Sequence, residues 1–227
     1  MIISHEHRFI YIRCRKTAST SIELALSRVC GPDDVITPIQ DAGHEALRRS
    51  IGGRGPQHYS DPDGTARFYG HMPAAEVRLL VGEEIWTNYF TWCVERNPWD
   101  KVISRYYARH RDRATRPPLL TFLESGSAHY VVNFRLYTVG SRVVTDHIAR
   151  FEHLGLELDR IGERLGLPRD ALELPRANSE HRTDRRHHSA LYSAIERDFV
   201  AELFAPEIAL LGYRFTDGLE PGPAGGS

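Results

Sequence analysis

The segment RKTASTS, residues 15–21, carries residue types that suit the binding of an anion. It follows a run of β-forming residues, 8–13, and precedes apolar positions at helical spacing, which predicts a strand, a tight loop and a helix. At a helix N-terminus, free backbone N–H groups and the positive end of the dipole favour an anion. The loop adds a lysine and hydroxyls that can bind a phosphate or sulfate group and compensate charge on a leaving oxygen. Its candidate ligands are Lys16, Thr17, Ala18, Ser19, Thr20 and Ser21.

The same loop permits two other interpretations. It contains no glycine and is therefore not the GxxxxGK[ST] loop of ordinary ATP and GTP enzymes, although a nucleotide-kinase type of phosphotransferase shares the strand, loop and helix. Thr20 with Glu23 three residues later has the form of a capping box, which would explain the hydroxyls as a plain helix cap. The anion site therefore needs support from a second part of the chain.

A second strand, turn and helix unit supplies that support. Residues 89–94 (YFTWCV) are nearly continuous β-formers, as in a central strand covered on both faces. Asn97 and Pro98 then provide a cap and a first-turn proline for an amphipathic helix. Arg96 lies at the carboxyl end of this strand and Ser104 about two turns into the helix, at the edge where open α/β sheets bind ligands. Both side chains can face one anion.

The remaining pattern predicts one α/β domain with a central parallel sheet flanked by helices. Residues 31–64 are rich in Gly, Pro, Asp and His without a sustained period, and we expect a long mobile excursion there. A short strand is predicted at 66–69, followed by a helix from Pro73 to about Leu80. Further predictions are a mostly helical region after Pro117 and Pro118, a strand at 147–151, helices at 154–165 and 191–211, a single domain over 1–217 and a disordered tail at 218–227.

Composition excludes several classes of protein. The 227 residues, 41% of them hydrophobic, suffice for one sizeable core, and a formal net charge of −1 gives no long-range attraction to nucleic acid or an anionic membrane. Three cysteines without CxxC spacing argue against a disulfide framework or a thiolate metal site. No stretch approaches the roughly 18 apolar residues of a membrane helix. We expect a cytoplasmic protein without an export signal or membrane anchor.

Three blocks of the chain together resemble the sulfotransferase family that uses 3′-phosphoadenosine 5′-phosphosulfate (PAPS), especially its carbohydrate sulfotransferase branch, which includes heparan sulfate 2-O-sulfotransferase. RKTASTS is similar to that family's 5′-phosphosulfate loop, and ERNPWDKVISRYY to its 3′-phosphate block. FYGHMP resembles the segment that supplies a catalytic histidine. The order and spacing of the blocks also match, and the resemblance covers most of residues 8–215. Arg15 stands where proline is usual, Asn97 where aspartate is common, and Tyr69 where one relative has a further histidine.

The resemblance implies a P-loop, nucleotide-kinase-like fold, PAPS as sulfuryl donor and no metal. Residues 16–21 would hold the 5′-phosphosulfate, with Lys16 compensating charge on the departing phosphate oxygen, and Arg96 and Ser104 would hold the 3′-phosphate. Segment 182–186, with Arg186, would close over the nucleotide. His71 would be the base, since an imidazole with a pKa near about 6.5 can take a hydroxyl proton at neutral pH.

Other functions stay open from the sequence. A nucleotide-dependent kinase is one alternative, and a non-catalytic nucleotide-binding relative is another. The basic stretches HRTDRRHH and RHRDRATR lack an aromatic platform and predict no nucleic-acid partner. We expect the acceptor to be a hydroxyl of a small molecule or a carbohydrate, in a pocket shaped by residues 31–64 and 109–142, and the oligomeric state is not predicted.

Overall fold

The structure is a computed structural model, which describes residues 1–175, 184 and 186–217. Contacts divide the chain into two compact units: the first comprises Met1–Glu95 and Asn133–Ser179, the second Arg96–Val132 and Glu180–Ser227. The expected single domain over 1–217 stays a prediction. The expected disordered tail, 218–227, lies outside the described residues.

Regular elements occupy much of the described chain. The strands are β1 Ile2–Ser4, β2 Phe9–Ile12, β3 Val35–Ile36, β4 Phe90–Glu95, β5 Thr138–Val139, β6 Arg142–Val143 and β7 His147–Arg150. The α-helices are α1 Ser19–Leu26, α2 Ala42–Ser50, α3 Ala74–Asn88, α4 Pro98–Arg109, α5 Leu119–Glu124, α6 Phe134–Tyr137, α7 Leu154–Arg164, α8 Ala194–Leu203 and α9 Ala205–Leu211. Short 3-10 helices span Ser127–Val131, Phe151–His153 and His188–Leu191.

A five-stranded sheet in the order β3-β1-β2-β4-β7 forms the centre of the first unit. β2 pairs parallel with β4, and β4 pairs parallel with β7, whereas β1 is antiparallel to both of its neighbours. Four of the five strands therefore point the same way. The prediction of a parallel, helix-covered sheet is confirmed for most of the sheet and wrong for β1. The carboxyl ends of β2 and β4 lie at one edge, since Ile12 pairs with Cys93.

Both faces of this sheet are covered, which explains the nearly continuous apolar strands. Phe9 and Tyr11 pack in a cluster that includes side chains of α1 and α7, while Ile10 and Ile12 pack on the other face in a cluster that includes side chains of α3 and α6. All four residues of β2 are fully buried. Burying such a side chain contributes roughly 1.5–3 kcal/mol, so the two layers stabilise the strand edge from which the loop at 15–18 begins.

The second unit is helical and has its own core. Trp99, Val102 and Ile103 on α4 pack with side chains from α5, α8 and α9. As predicted, α4 begins at Pro98, and the Asn97 side chain accepts a hydrogen bond from the backbone N–H of Trp99 at 3.1 Å. The helix predicted for residues 191–211 is two helices, which meet at Phe204.

Three local predictions are wrong. The capping box of Thr20 and Glu23 does not form, because α1 begins at Ser19 and both residues lie inside it. Residues 31–64 contain β3 and α2, whose N-terminus is capped by Asp41, so they are not a structureless excursion. Residues 66–69 form no strand: Ala66 makes one isolated bridge with Ser60, and the N–H groups of the next two residues both donate to the carbonyl of Tyr59.

The cysteines and the length of the helices bear on two further predictions. Cys14, Cys30 and Cys93 are buried free thiols, as expected for a chain without disulfides. Within the ranges that the structure describes, no helix combines the length and the apolar character needed to cross a bilayer.

Candidate functional site

The loop between β2 and α1 has an unusual backbone. Lys16 and Ala18 have left-handed φ values of 62° and 58°. Left-handed residues alternating with ordinary ones turn successive N–H groups towards one point, a geometry that binds anions. The first hydrogen bond of α1 runs from the N–H of Ile22 to the carbonyl of Ala18, so the N–H groups of residues 19–21 have no acceptor within the helix. The predicted strand, loop and helix are confirmed, and the backbone suits an anion.

The loop side chains divide between shaping the loop and facing outwards. The Thr17 hydroxyl is buried and donates to the carbonyl of Cys14 at 3.2 Å, which closes the turn from within. Ser19 and Ser21 are largely buried, whereas Lys16 and Thr20 are half-buried. The loop therefore presents backbone N–H groups, two partly accessible side chains and a small alanine.

Arg13 joins the loop to the helix and was not singled out from the sequence. Its Nε donates to the hydroxyl of Ser19 at 3.3 Å, and its Nη2 donates to that of Thr20 at 3.1 Å. Since each hydroxyl accepts from the guanidinium, its own proton can donate to a bound anion. Arg13 thus orients two hydroxyls that were predicted as ligands. Its position two residues before the loop, at the end of β2, is the only sequence signal for this role.

The charge of Arg13 is partly balanced inside the first unit. Its Nη1 lies 2.7 Å from Oε2 of Glu23, a fully buried carboxylate on α1 that also contacts the amino group of Met1. Burial opposes ionisation of Glu23, but the charges of the amino group and of Arg13 outweigh it and lower the pKa of the carboxyl. Glu23 is therefore the anchor of Arg13, and it has no helix-capping role.

His71 is held beside the start of the loop. Its Nδ1 lies 2.9 Å from the carbonyl oxygen of Arg13, and since a carbonyl only accepts, Nδ1 carries the proton and Nε2 is the basic atom. Phe68 and Met72 on either side of it are buried in the core. Burial first, and then the positive charge of Arg13, lower the pKa of His71 to about 4. The imidazole is therefore neutral at physiological pH and has the tautomer required of a base acting through Nε2.

Tyr69 occupies the position at which one relative has a further histidine. Its hydroxyl donates to Glu76 at 2.7 Å, and burial together with this carboxylate raises its pKa to about 12. Tyr69 thus holds its proton at neutral pH and is not a base there.

A buried amide fixes the beginning of the loop. Asn133 is fully buried, its Oδ1 accepts from the N–H of Arg15 at 2.9 Å, and its Nδ2 donates to the carbonyl of Arg15 at 3.1 Å. The same Nδ2 donates to Glu95 at 3.3 Å, and Glu95 also accepts from the hydroxyl of Tyr137. Nothing in the sequence linked residue 133 to residue 15, because the two residues are 118 positions apart along the chain.

Arg96 and Ser104 belong to the second unit. Nε and Nη2 of Arg96 donate to Oδ2 of Asp100, one helical turn later, at 2.9 and 2.5 Å. Asp100 and Ser104 are again four residues apart, so these two side chains share one side of α4, and the side chain of Arg96 reaches the first of them. Arg96 is largely buried and Ser104 is half-buried. Arg96 directly follows β4 and Ser104 lies about two turns into α4, which are the positions predicted for them.

Arg186 is described, but most of the segment around it is not. Its guanidinium is 65% exposed and pairs with Asp184 at 2.7 Å. Arg182, which was predicted to help close over a nucleotide, lies outside the described residues. Closure by this segment stays a prediction.

The structure brings part of the predicted site together. Residues 16–21 and His71 belong to the first unit and are connected through Arg13, whose guanidinium reaches the loop and whose carbonyl holds the imidazole. Arg96, Ser104 and Arg186 belong to the second unit. Within the described ranges, no three His, Cys, Asp or Glu residues are grouped as a metal site would require.

Comparison with known proteins identifies a relative without assigning an activity. No family model matches the chain, and no solved structure matches it significantly. A protein of Archaeoglobus fulgidus described as "Uncharacterized protein" is 34% identical over 103 residues, which cover 44% of this chain and 86% of the archaeal protein. Since that match spans most of the archaeal protein, the chain belongs to the same family as this uncharacterized protein.

Proposed function

We propose that this protein is a sulfotransferase of the P-loop, nucleotide-kinase-like type that moves a sulfuryl group from PAPS to a hydroxyl of a small-molecule or sugar-containing acceptor. One observation carries the proposal: a left-handed turn at residues 16–18 leads into two hydroxyls held by the Arg13 side chain, and the Arg13 carbonyl holds a neutral histidine with its Nε2 unprotonated. The resemblance of three sequence blocks to PAPS-dependent sulfotransferases supports the choice of donor.

The loop is suited to the 5′-phosphosulfate of the donor. Backbone N–H groups at the start of α1 and the hydroxyls oriented by Arg13 can donate to the phosphate and sulfuryl oxygens. Lys16, in the middle of the loop, supplies positive charge as the bridging phosphate oxygen becomes negative. Fixed donors of this kind stabilise the transition state more than the ground state, because the charge develops during the transfer.

The proposed reaction requires one proton transfer. The acceptor oxygen forms a bond to sulfur while the bond from sulfur to the bridging phosphate oxygen breaks, and adenosine 3′,5′-bisphosphate leaves. The proton of the acceptor hydroxyl goes to Nε2 of His71, which the contact at Nδ1 leaves free to accept it. The resulting imidazolium is stabilised by the dianionic leaving group and by the carbonyl of Arg13.

Arg96 and Ser104 would recognise the 3′-phosphate that distinguishes this donor from ordinary nucleotides. A guanidinium presents paired N–H donors that match phosphate oxygens, and Asp100 keeps the side chain of Arg96 extended along α4. This part of the proposal is supported by the residue types and by the resemblance.

The test is calorimetric titration with three ligands: adenosine 3′,5′-bisphosphate, adenosine 5′-phosphate, which lacks only the 3′-phosphate, and ATP. We expect the bisphosphate to bind best. Arg96→Ala should remove the preference for the bisphosphate over adenosine 5′-phosphate, whereas Lys16→Ala should weaken the binding of both by a similar factor. Losing one charged phosphate contact corresponds to about 1.5–3 kcal/mol, or roughly ten- to 150-fold in Kd.

The outcomes separate the alternatives. ATP binding as tight as that of the bisphosphate would overturn the choice of donor and favour a kinase. Bisphosphate binding with no sulfation in a screen of hydroxyl acceptors would favour a non-catalytic nucleotide-binding protein. Arg197→Ala is a matched control, because Arg197 pairs with the neighbouring aspartate on the exposed side of α8 and its loss should leave all three affinities unchanged.

A further inference from the structure

We infer that Asn133 is a positioning residue that holds the anion-binding loop in its binding shape, and that buried Glu95 and Tyr137 fix the orientation of its amide. The inference rests on the proposed function for its effect on donor binding, but not for its effect on the loop. It concerns side chains that neither the sequence motifs nor the proposed reaction uses.

The contact between Asn133 and Arg15 is two-sided. One amide group bonds both the N–H and the carbonyl of a single residue, at 2.9 and 3.1 Å, as a neighbouring strand would. Arg15 immediately precedes Lys16, the first left-handed residue of the loop. Fixing both polar groups of Arg15 therefore restricts the direction in which the chain enters the left-handed turn.

The strained backbone of the loop favours a restraint in addition to the bond with which the Thr17 hydroxyl closes the turn from within. Left-handed backbone costs a non-glycine residue roughly 1–2 kcal/mol, and Lys16 and Ala18 both adopt it. Arginine at position 15 also leaves φ free, whereas the proline usual in the resembled family would lock it. An external clamp can hold the loop when neither glycine nor proline is present.

The side-chain amide of Asn133 has two orientations related by a flip, and only one of them can bond both polar groups of Arg15. Oδ1 must face the N–H of Arg15, which requires Nδ2 to face the carbonyl of Arg15 and Glu95. The carboxyl of Glu95 accepts from Nδ2 at 3.3 Å and from the hydroxyl of Tyr137 at 3.3 Å. Asn133, Glu95 and Tyr137 are all fully buried, so water does not compete for these bonds. The acceptor at Glu95 thus selects the amide orientation that clamps the loop.

The position of Asn133 in its helix supports this role. It is the residue that precedes α6, where asparagine usually accepts from the first turn of the helix. Here the side chain makes no such capping bond and is directed to Arg15. An unused capping residue that is fully buried against a loop is best explained by its contact with that loop.

The first experiment measures hydrogen exchange of backbone amides in the ligand-free protein by NMR. In Asn133→Ala we expect the amide of Arg15 to exchange at least ten-fold faster, with Lys16 and Thr17 following, while Ile10 and Tyr11 in β2 keep their protection. Thr138→Val is the matched control: it removes a part-buried side-chain bond to the carbonyl of Phe134 in the same segment, without touching the loop. Equal acceleration throughout β2, or in the control, would overturn the inference.

The second experiment tests the role of Glu95 by placing a carboxylate at position 133 and then an amide at position 95. Asn133→Asp keeps the acceptor for Arg15 but sets two carboxyls against each other, so the Kd for adenosine 3′,5′-bisphosphate should rise at least ten-fold. Adding Glu95→Gln supplies an amide donor to the new aspartate and should recover the part of that loss that comes from repulsion between the two carboxyls, although the bond to the Arg15 carbonyl stays absent. This double variant also serves if Asn133→Ala does not fold. Failure of the double variant to recover binding, with its fold intact, would contradict the role of Glu95.

The two readouts separate this inference from the proposed function. If the unmodified protein binds no adenosine 3′,5′-bisphosphate, the proposed donor is wrong, and the exchange of the Arg15 amide still tests the clamp. If the bisphosphate binds well and Asn133→Ala changes neither exchange nor Kd, the clamp is wrong and the donor proposal stands.

Discussion

The carbonyl oxygen of Arg13 accepts a hydrogen bond from Nδ1 of His71 at 2.9 Å, while the guanidinium of the same arginine donates to two hydroxyls of the loop. Arg13 therefore sets the tautomer of His71, the proposed base. It also orients the hydroxyls of Ser19 and Thr20, which are proposed to bind the sulfuryl donor. Its charge also disfavours a proton on His71. The proposed base and the loop proposed to bind the anion are consequently coupled through the side chain and the carbonyl of one residue.

This coupling predicts an unusual pH profile. A base must be unprotonated to act, so kcat/KM should fall only as the pH drops through the pKa of His71 in the free enzyme, which burial and Arg13 lower to about 4. We expect kcat/KM to be level between pH 6 and 8 and to decline below about pH 5. His71→Asn, which can still donate to the carbonyl of Arg13, should lower kcat by roughly 10²–10⁴-fold. An acid limb centred near pH 6.5 would contradict the buried, neutral histidine.

The same lowered pKa has a consequence for stability that does not depend on catalysis. Between about pH 6.5 and 4 the unfolded chain binds a proton at His71 that the folded protein does not, so the free energy of unfolding falls as the pH falls. Over that range His71 alone should account for about 3 kcal/mol, and this stability is fully present above pH 6.5. Urea unfolding of the wild type and of His71→Asn at pH 7 and pH 4.5 measures the difference. Parallel losses of stability in the two proteins would show that His71 titrates normally.

Removing the charge of Arg13 should change both the pKa of His71 and the stability of the fold. In Arg13→Met the pKa of His71 should rise towards its ordinary value but stay below it, because burial is the larger cause of the shift. The fold should lose about 3 kcal/mol, since Glu23 stays buried with one positive partner fewer. NMR titration of His71 and urea unfolding measure the two effects. In the Glu23→Gln variant, which has no buried charge at position 23, Arg13→Met should lower the free energy of unfolding by less than it does in the wild type. An equal loss in both proteins would mean that Arg13 stabilises the fold by packing and not by its charge.

The sequence was most informative where a pattern depends on neighbouring residues. β4 and α4 were predicted from a continuous β-forming run, an Asn-Pro start and apolar spacing, and both occur within a residue of the expected positions. The loop at 15–21 was likewise placed between the correct strand and helix. These signals are local, since capping, proline geometry and helical periodicity act over a few residues.

Signals that depend on distant contacts were missed or misread. Glu23 fits a capping box by spacing, yet it is drawn into the core by Arg13 and the amino group of Met1. α2 was missed because it is short and largely polar. The residue that it buries fully is Arg48, whose type does not indicate burial. Asn133 resembles an ordinary capping residue until the fold sets it beside Arg15. Tertiary contacts override local preference at each of these positions.

The left-handed backbone at Ala18 predicts opposite responses to two substitutions. With φ at 58°, Ala18→Gly removes a side chain that disfavours this backbone, and stability should stay within about 0.5 kcal/mol or rise slightly, because relief of strain offsets the greater freedom of the unfolded chain. Ala18→Val adds a β-branched side chain to which that backbone is poorly accessible, and should cost about 2 kcal/mol.

The two variants should also differ in ligand binding. A valine that forces residue 18 out of the left-handed region turns its N–H away from the anion, so Ala18→Val should weaken binding of adenosine 3′,5′-bisphosphate at least ten-fold, whereas Ala18→Gly should bind it within about three-fold of the wild type. Calorimetric titration of both variants, with urea unfolding as the measure of stability, provides the comparison. Equal affinity in the glycine and valine variants would show that the left-handed turn is not part of the binding site.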